Sequence, residues 1–351
     1  MDNVTVLLTG AGAPGIKGTL YSLKNNPDNT RIRTVGVDIR NDVSGKYLCD
    51  LFYQIPKPSE KSFIPALLKI CKKEKVDVIL PQVNEELSAI SGHKKDFESI
   101  GTKVAISDKK AIDLSNNKNS LLKISRELKL PTPSFNLVNN SDDLEKFLVR
   151  LGWPENPVVV KPPVSSGMRG LRIIKERFNR KKNFYSEKPF EIYMRKDELI
   201  GILGDSFPEL LLMEYLPGKE YSVDLLKTDK MIIVPRSRDT IRTGITFSGT
   251  VEKNQRIMKI SERLSKKLKL NYVHGFQFKL DENGVPNIIE CNPRTQGTMV
   301  LSTIAGANVI YGAVKYILTG ETPAFDIKWG TRFLRYWGGV GLVNNKIVEL
   351  L

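Results

Sequence analysis

The sequence predicts an α/β protein with an α+β C-terminal part: a doubly wound parallel sheet first, then a two-lobed domain. Apolar runs alternate with helical patterns over the first hundred or so residues, as in βαβ units. A β-rich run at 158–161 leads through a glycine-containing loop into a second run at 171–174, which predicts a small lobe. Asn283-Gly284 separates two further apolar runs and predicts a β-hairpin.

Composition fits a globular protein, with 351 residues, 40% hydrophobic content and 26% charged content. The start lacks a basic segment, and no apolar run approaches the ~20 residues that span a bilayer, so we expect no membrane partner. Three cysteines without paired spacing predict a reducing, cytoplasmic location and no zinc site. The net charge of +15 is spread along the chain, which makes nucleic acid the less favoured partner.

The N-terminal stretch begins with a predicted strand at 4–8, the loop Gly10–Gly15 and a helix from Ile16. A strand at 34–39 follows and carries Asp38. This G-x-G-x-x-G pattern with an acidic residue suits a dinucleotide, yet the same glycines serve wherever a strand turns sharply into a helix. Ile16 occupies the position where a Walker A loop needs lysine. An NAD(P)-dependent oxidoreductase is therefore one hypothesis.

Further helix and strand signals complete this domain, with a helix at 63–73 and strands at 76–80 and 104–107. Asn84 follows the strand at 76–80, at the end where open α/β sheets bind ligands. We predict that it caps the next helix.

The hairpin gathers polar side chains. A two-residue type I′ turn at Asn283-Gly284 pairs Glu282 with Val285 and places Gln277 opposite Glu290. Asn292 then shares the face of Glu290, with Arg294 just beyond. Oxygen-bearing side chains beside an arginine suit a Mg²⁺–phosphate site.

These residues resemble the metal-binding signature of the ATP-grasp superfamily, in the style of the carbamoyl phosphate synthetase large subunit. The resemblance implies that Gln277, Glu290 and Asn292 hold Mg²⁺, with Mn²⁺ as an alternative. It also implies that the protein binds ATP together with the metal ion, and that Arg294 contacts the phosphoryl group that ATP transfers.

Nucleotide-binding residues follow from the same resemblance. A lysine at the end of a strand before a glycine loop can reach phosphate oxygens, and an apolar strand can wall an adenine pocket. The residues expected to bind ATP are Lys118, Lys161, Ser165, Ser166, Gly167, Glu214, Tyr215, Leu216 and Glu220. Lys161 and Arg294 are the predicted catalytic residues, because both would stabilise charge on the phosphoryl oxygens.

Arg236 and Arg238 share one face of a predicted strand and suit a carboxylate or phosphate, so they and Arg294 are the predicted substrate-binding residues. A basic solvated edge explains the first two equally well. His274 is predicted to be structural, and the charged stretch 176–199 is predicted to be an insertion without assigned chemistry.

The predicted domains are an N-terminal Rossmann-like domain at 1–112, an ATP-grasp domain at 113–320 with a lid lobe at about 131–214, and a closing segment at 321–351. The predicted function is an ATP- and Mg²⁺-dependent carboxylate–amine ligase that acts on small molecules. Carbamoyl-phosphate-synthetase-like phosphotransfer and the NAD(P) oxidoreductase are the alternatives, and a homodimer is left open.

Overall fold

The computed structural model describes residues 1, 3–178, 181, 185, 192–344 and 346–350. Internal contacts divide the chain into two compact units, one formed by 1–116, 220–277 and 291–351, the other by 117–219 and 278–290. Much of the predicted insertion at 176–199, including Arg180, Lys182 and Asn183, lies outside the described residues. In the part that is described, no helix is both long and apolar enough to cross a bilayer.

The N-terminal sheet confirms the predicted doubly wound architecture. All its strands are parallel, in the order β3-β2-β1-β4-β5. The strands are β1 (Asn3–Leu8), β2 (Arg31–Asp38), β3 (Leu51–Gln54), β4 (Val78–Leu80) and β5 (Lys103–Val104). The helices of this region are α1 (Ile16–Lys24), α2 (Gly45–Leu48), α3 (Phe63–Glu74), α4 (Asn84–Gly92), α5 (Lys94–Ser99) and α6 (Lys109–Asn116).

Strand β1 contributes side chains to two hydrophobic clusters, because successive side chains of a strand point to opposite faces of the sheet. Val6 and Leu8 belong to one cluster, whereas Leu7 belongs to the other. Burial on both faces explains why the strand reads as a continuous apolar run rather than an alternating one.

The second unit contains its own sheet and core. Its strands are β6 (Phe135–Asn140), β7 (Val158–Lys161), β8 (Arg172–Ile174), β9 (Tyr193–Met194) and β10 (Ser206–Glu214), in the order β6-β10-β7-β8-β9. Its helices include α7 (Lys118–Glu127), α8 (Ser141–Arg150) and α9 (Lys196–Leu203). Leu144, Val160 and Leu212 are fully or almost fully buried in its core. The strand–loop–strand element predicted for the small lobe corresponds to β7 and β8.

A single residue separates helices α6 and α7. Helix α6 ends at Asn116, and α7 begins at Lys118 after the N-cap residue Asn117. The Asn117 side chain accepts a hydrogen bond from the backbone N–H of Ser120 at 3.0 Å, which satisfies one of the free donors of the first turn.

The remaining strands belong to three smaller sheets, β12-β11-β15-β16, β13-β14-β17 and β18-β19. Their bounds are β11 (Glu220–Lys227), β12 (Met231–Ser237), β13 (Thr240–Arg242), β14 (Ile245–Thr250), β15 (Tyr272–Leu280), β16 (Pro286–Asn292), β17 (Arg332–Leu334), β18 (Val340–Val343) and β19 (Lys346–Leu350). The accompanying helices are α10 (Gln255–Leu268), α11 (Val300–Ile304) and α12 (Val309–Thr319).

His274 on β15 is fully buried. Its Nε2 lies 2.9 Å from the Ser265 hydroxyl, and its Nδ1 lies 3.2 Å from the Tyr272 carbonyl oxygen. Burial lowers the pKa of His274 to about 4, so the ring is neutral at pH 7. These contacts agree with the predicted packing role.

His274→Gln should therefore change how stability depends on pH. Between pH 6.5 and 4 the unfolded histidine binds a proton that the folded one does not, so stability is lost as the pH falls. We expect the parent to lose about 2 kcal/mol more free energy of unfolding than the variant between pH 7.5 and pH 5. Urea unfolding of both proteins at the two pH values measures this. Equal losses would show that His274 is not the buried neutral group described above.

Candidate functional site

The candidate metal ligands lie on neighbouring strands. Gln277 is on β15, while Glu290 and Asn292 are on β16. Glu290 is half-buried, and its carboxylate makes no hydrogen bond or ion pair within the described residues. A partly desolvated carboxylate is a donor that a hard cation prefers, and the site predicted here would add the amide oxygens of Gln277 and Asn292. Across the described chain no group of three His, Cys, Asp or Glu residues could hold a metal, so a site here depends on amide oxygens.

The hairpin turn differs from the predicted type I′ turn. Gly284 has φ +73°, but Asn283 is not among the residues with positive φ. The Gly284 N–H donates to the Asp281 carbonyl at 3.1 Å, and the Asp281 N–H donates to the Val285 carbonyl at 3.0 Å. The loop therefore has three residues, with glycine in the left-handed position, and Asp281 rather than Glu282 faces Val285.

Asp281 explains this turn. Its Oδ1 accepts the N–H of Asn283 at 2.9 Å and that of Val285 at 2.8 Å. An aspartate that bonds the backbone two residues on favours a type I turn over type I′. Continued without a bulge, the observed register would set Gln277 opposite Ile289 and so on the other face of the hairpin from Glu290. This turn does not support the predicted proximity of Gln277 and Glu290, which stays a prediction.

Arg294 lies just after β16, and three neighbours hold its side chain. Its Nη2 donates to Asn292 Oδ1 at 3.2 Å, and its Nη1 donates to the Thr295 carbonyl at 2.8 Å. Its Nε donates to Asn84 Oδ1. A candidate metal ligand and the candidate catalytic arginine are thus directly hydrogen-bonded.

Lys161 is buried at the end of β7. Its Nζ lies 3.4 Å from the carbonyl oxygen of Ile289, the residue before Glu290. The fold therefore brings the predicted phosphate-binding lysine next to the strand that carries two predicted metal ligands, although 128 positions separate Lys161 from Ile289. A buried cation beside a carboxylate-bearing strand suits the binding of a metal–phosphate group.

Lys118 and the predicted phosphate loop are also in contact. The Lys118 Nζ donates to the Ser165 carbonyl at 2.8 Å and lies 3.4 Å from its hydroxyl. Arg169 Nη1 donates to the Ser166 hydroxyl at 2.9 Å. Positive φ values of +62° at Gly167 and +73° at Gly170 give this loop a backbone that glycine adopts without strain.

The predicted adenine and ribose residues lie at the end of β10 and the start of β11. The Glu214 carboxylate accepts the backbone N–H of Ser134 at 3.0 Å, and Leu216 is buried. Tyr215 lies beneath the Lys279 ammonium, 5.6 Å from the ring centroid. The Glu220 carboxylate is paired with the Arg238 guanidinium. A ribose hydroxyl would share Glu220 with Arg238.

Comparison with known proteins finds matches in two parts of the chain. Residues 206–333 match the family model described as ATP-grasp in the biosynthetic pathway with Ter operon, and residues 6–105 match the PylC-like N-terminal domain. The segment 206–333 is therefore similar to an ATP-grasp domain. The large chain of carbamoyl phosphate synthase from Clostridium acetobutylicum is 24% identical over 274 residues, which cover 75% of this chain and 24% of that protein.

Two solved structures share the fold. The ADP complex of N5-carboxyaminoimidazole synthetase from Staphylococcus aureus has a TM-score of 0.68 at 17% identity, over 93% of this chain and 81% of that one. The biotin carboxylase domain dimer of Hydrogenobacter thermophilus 2-oxoglutarate carboxylase, with MgADP, ADP and bicarbonate, has a TM-score of 0.67 at 17% identity, over 93% and 73%. This chain spans about a quarter of the length of the curated relatives it matches.

The two predicted acceptor-site arginines make ion pairs within the fold. Arg236 is almost fully buried, and it donates to Asp224 through Nε at 2.8 Å and through Nη2 at 3.1 Å. Its Nη1 is buried and has no hydrogen-bond partner in the part of the chain that the structure describes. Arg238 pairs with Glu220 and donates to Thr246 Oγ1 at 3.0 Å. The solvated-edge alternative is wrong for both residues, because both are buried. Their predicted binding of substrate stays a prediction.

The glycine loop after β1 is tightly packed. The Gly12 N–H donates to Asp38 Oδ2 at 2.7 Å, and the Arg40 N–H donates to Asp38 Oδ1 at 2.9 Å. A Cβ on Gly15 would lie 2.5 Å from the Gly297 Cα. Close packing thus accounts for both glycines, and the Asp38 carboxylate already accepts two backbone donors.

Sequence reasoning missed the roles of Asn84 and Glu86. Asn84 was predicted to cap α4, but the N-cap is Val83, and Asn84 contacts Arg294 instead. Glu86 is buried beneath it and accepts the N–H groups of Gln82 and Val83 at 3.2 and 3.1 Å. Burial raises the pKa of Glu86 to about 7, against the opposing effect of these hydrogen bonds and of the Arg294 charge. The sequence offered one signal for both residues: they follow strand β4 at its carboxyl end, where open α/β sheets bind ligands.

Proposed function

We propose that this protein is an ATP- and Mg²⁺-dependent ligase that joins a small-molecule carboxylate to an amine. The proposal depends most on one observation: the buried Lys161 ammonium approaches the backbone of β16 next to Glu290, whose carboxylate has no partner among the described residues. It joins two predicted parts of an ATP site, and the match of residues 206–333 to an ATP-grasp model supports it.

In this proposal ATP phosphorylates the carboxylate, and the amine then displaces phosphate from the acyl phosphate. Bound Mg²⁺ would neutralise charge on the phosphates, and Gln277, Glu290 and Asn292 would hold it. Arg294 and Lys161 would orient the γ-phosphoryl group and stabilise its oxygens. The residues proposed to bind the nucleotide are Lys118, Ser165, Ser166, Gly167, Glu214, Tyr215, Leu216 and Glu220.

Carbamoyl-phosphate-synthetase-like phosphotransfer is a second candidate, because curated relatives carry that name. An ADP-release screen separates the two candidates, with amino acids and small carboxylates in one arm and bicarbonate plus ammonia in the other. Release that needs both a carboxylate and an amine would support the ligase. Release with bicarbonate and ammonia alone would favour the second candidate, and release in neither arm would contradict both.

The loop 165–170 should respond to nucleotide. We propose that it covers the phosphates, since Gly167 and Gly170 allow backbone movement and Lys118 already holds Ser165. Hydrogen exchange of this loop should slow on addition of ATP–Mg²⁺, while exchange in α10 stays unchanged as a control. Equal protection of the loop with and without nucleotide would count against this role.

Substrates, partners and location extend the proposal. Small-molecule acids and amines are the proposed partners, nucleic acid is disfavoured, and a homodimer is left open. The three cysteines are free and buried, which fits the proposed cytoplasmic location.

A further inference from the structure

Asn84 lies behind the proposed catalytic arginine. It is the first residue of α4, directly after the segment that follows β4, and its side chain is 7% exposed. Its Oδ1 accepts the hydrogen bond from Arg294 Nε. The two residues are 210 positions apart, so the contact depends on the fold rather than on local chain geometry.

The Asn84 amide has a second partner, because Asn84 Nδ2 donates to Asn116 Oδ1 at 2.8 Å. In the opposite orientation Asn84 Nδ2 would face the Arg294 Nε–H, and two donors would oppose each other. Since arginine can only donate, Arg294 selects the orientation in which Asn84 Oδ1 accepts, and Asn116 binds the other end of the amide.

Three acceptors hold the guanidinium in place. Arg294 donates to Asn84, to Asn292 and to the Thr295 carbonyl. An arginine that is already ordered loses less side-chain entropy when it binds a phosphoryl group.

We infer that Asn84 is a positioning residue, which holds Arg294 in the orientation that binds the transferring phosphoryl group, while Asn116 anchors the other end of the Asn84 amide. The inference rests on the proposed function, because it concerns Arg294 in phosphoryl transfer. It assigns to the N-terminal domain a part in the chemistry of the ATP-grasp domain, through an asparagine rather than through the glycine loop.

Calorimetric titration with two ligands tests the inference without knowledge of the acceptor. The first ligand is MgADP, and the second is MgADP with aluminium fluoride, which mimics a transferring phosphoryl group. Arg294→Ala should weaken binding of the fluoride complex about tenfold or more. Asn84→Ala should weaken it about three- to tenfold, because the arginine must then be ordered on binding. MgADP alone should bind both variants within about twofold of the parent.

Two further variants separate positioning from general damage. Asn308→Ala removes an equally buried asparagine that caps α12, and it should leave both affinities within about twofold of the parent. Asn84→Asp keeps an acceptor for Arg294 Nε and the size of the side chain, so it should bind the fluoride complex better than Asn84→Ala does. It also serves as the test if Asn84→Ala does not fold.

The outcomes distinguish the inference from the proposed function. Loss of fluoride-complex affinity in Arg294→Ala but not in Asn84→Ala would overturn the inference alone. So would equal losses in Asn84→Asp and Asn84→Ala, or a loss in Asn308→Ala as large as that in Asn84→Ala. Parent-like binding by Arg294→Ala, or no binding of MgADP to the parent, would overturn the proposed role of Arg294 and the inference with it.

Discussion

Glu290→Gln should lower ATP turnover by about 100-fold or more, because it removes the only carboxylate among the proposed metal ligands. Glutamine keeps the size and one oxygen, so the effect should come from the lost negative charge. ADP release measured against Mg²⁺ concentration should show a raised requirement for metal as well as a lower maximum rate.

Glu282→Gln provides the matched control. Glu282 lies on the same hairpin, at the exposed turn, and the same loss of charge there should leave turnover within about twofold of the parent. Equal turnover in Glu290→Gln and the parent would remove Glu290 from the metal site. Equal losses in both variants would indicate a general electrostatic effect of the hairpin.

Asp224→Ala should lower the free energy of unfolding by about 3–5 kcal/mol, because it leaves the Arg236 charge buried without a partner. Asp224 is fully buried, accepts two hydrogen bonds from Arg236, and also accepts one from the Ser302 hydroxyl at 2.7 Å. Urea unfolding at pH 7 measures the loss.

Two comparisons show whether the buried charge causes that loss. Glu262→Ala breaks the exposed pair with Lys266 and should cost less than about 1 kcal/mol. The double variant Asp224→Leu, Arg236→Met removes both charges and should recover most of the stability. A loss below about 1 kcal/mol in Asp224→Ala would contradict the buried ion pair.

The fold prediction came from regular hydrophobic patterns in the sequence. Strands buried on both faces appear as short apolar runs, and the alternation of such runs with helical patterns predicted the N-terminal parallel sheet. Helix α10 shows the helical period, because its buried residues Ile257, Ile260, Leu264 and Leu268 lie three or four positions apart.

The ion pair between Arg236 and Asp224 could not be predicted from the sequence, because it depends on which strands pair and in which register. In the β11–β12 ladder Asp224 lies opposite Val234 and Ser222 lies opposite Arg236, so the ion pair is a diagonal contact. Which strands pair, and in which register, depends on the whole sheet. An arginine on a strand therefore suggests an anion partner but does not say whether it is substrate or protein.

The proposed metal site was drawn from residues that lie close in sequence. Gln277, Glu290, Asn292 and Arg294 are parts of one hairpin and its exit, but the three-residue turn differs from the one that set Gln277 opposite Glu290. The Asn84–Arg294 contact spans 210 positions. Asn84 was predicted to cap a helix because it lies at a helix start. Its position after the carboxyl end of β4 was the better guide, since its side chain contacts Arg294.

Calorimetric titration of ATP–Mg²⁺ and of NAD(P) into the parent, Lys161→Ala and Asp38→Ala tests the central claim most directly. The account predicts that Lys161→Ala weakens ATP binding by about 1.5–3 kcal/mol through loss of a charge-assisted contact. Asp38→Ala should leave ATP affinity nearly unaltered, because the Asp38 carboxylate bonds the Gly12 N–H at 2.7 Å in the N-terminal sheet. If Lys161→Ala binds ATP like the parent while Asp38→Ala abolishes binding of NAD(P), the ATP-dependent ligase is wrong and the dinucleotide hypothesis takes its place.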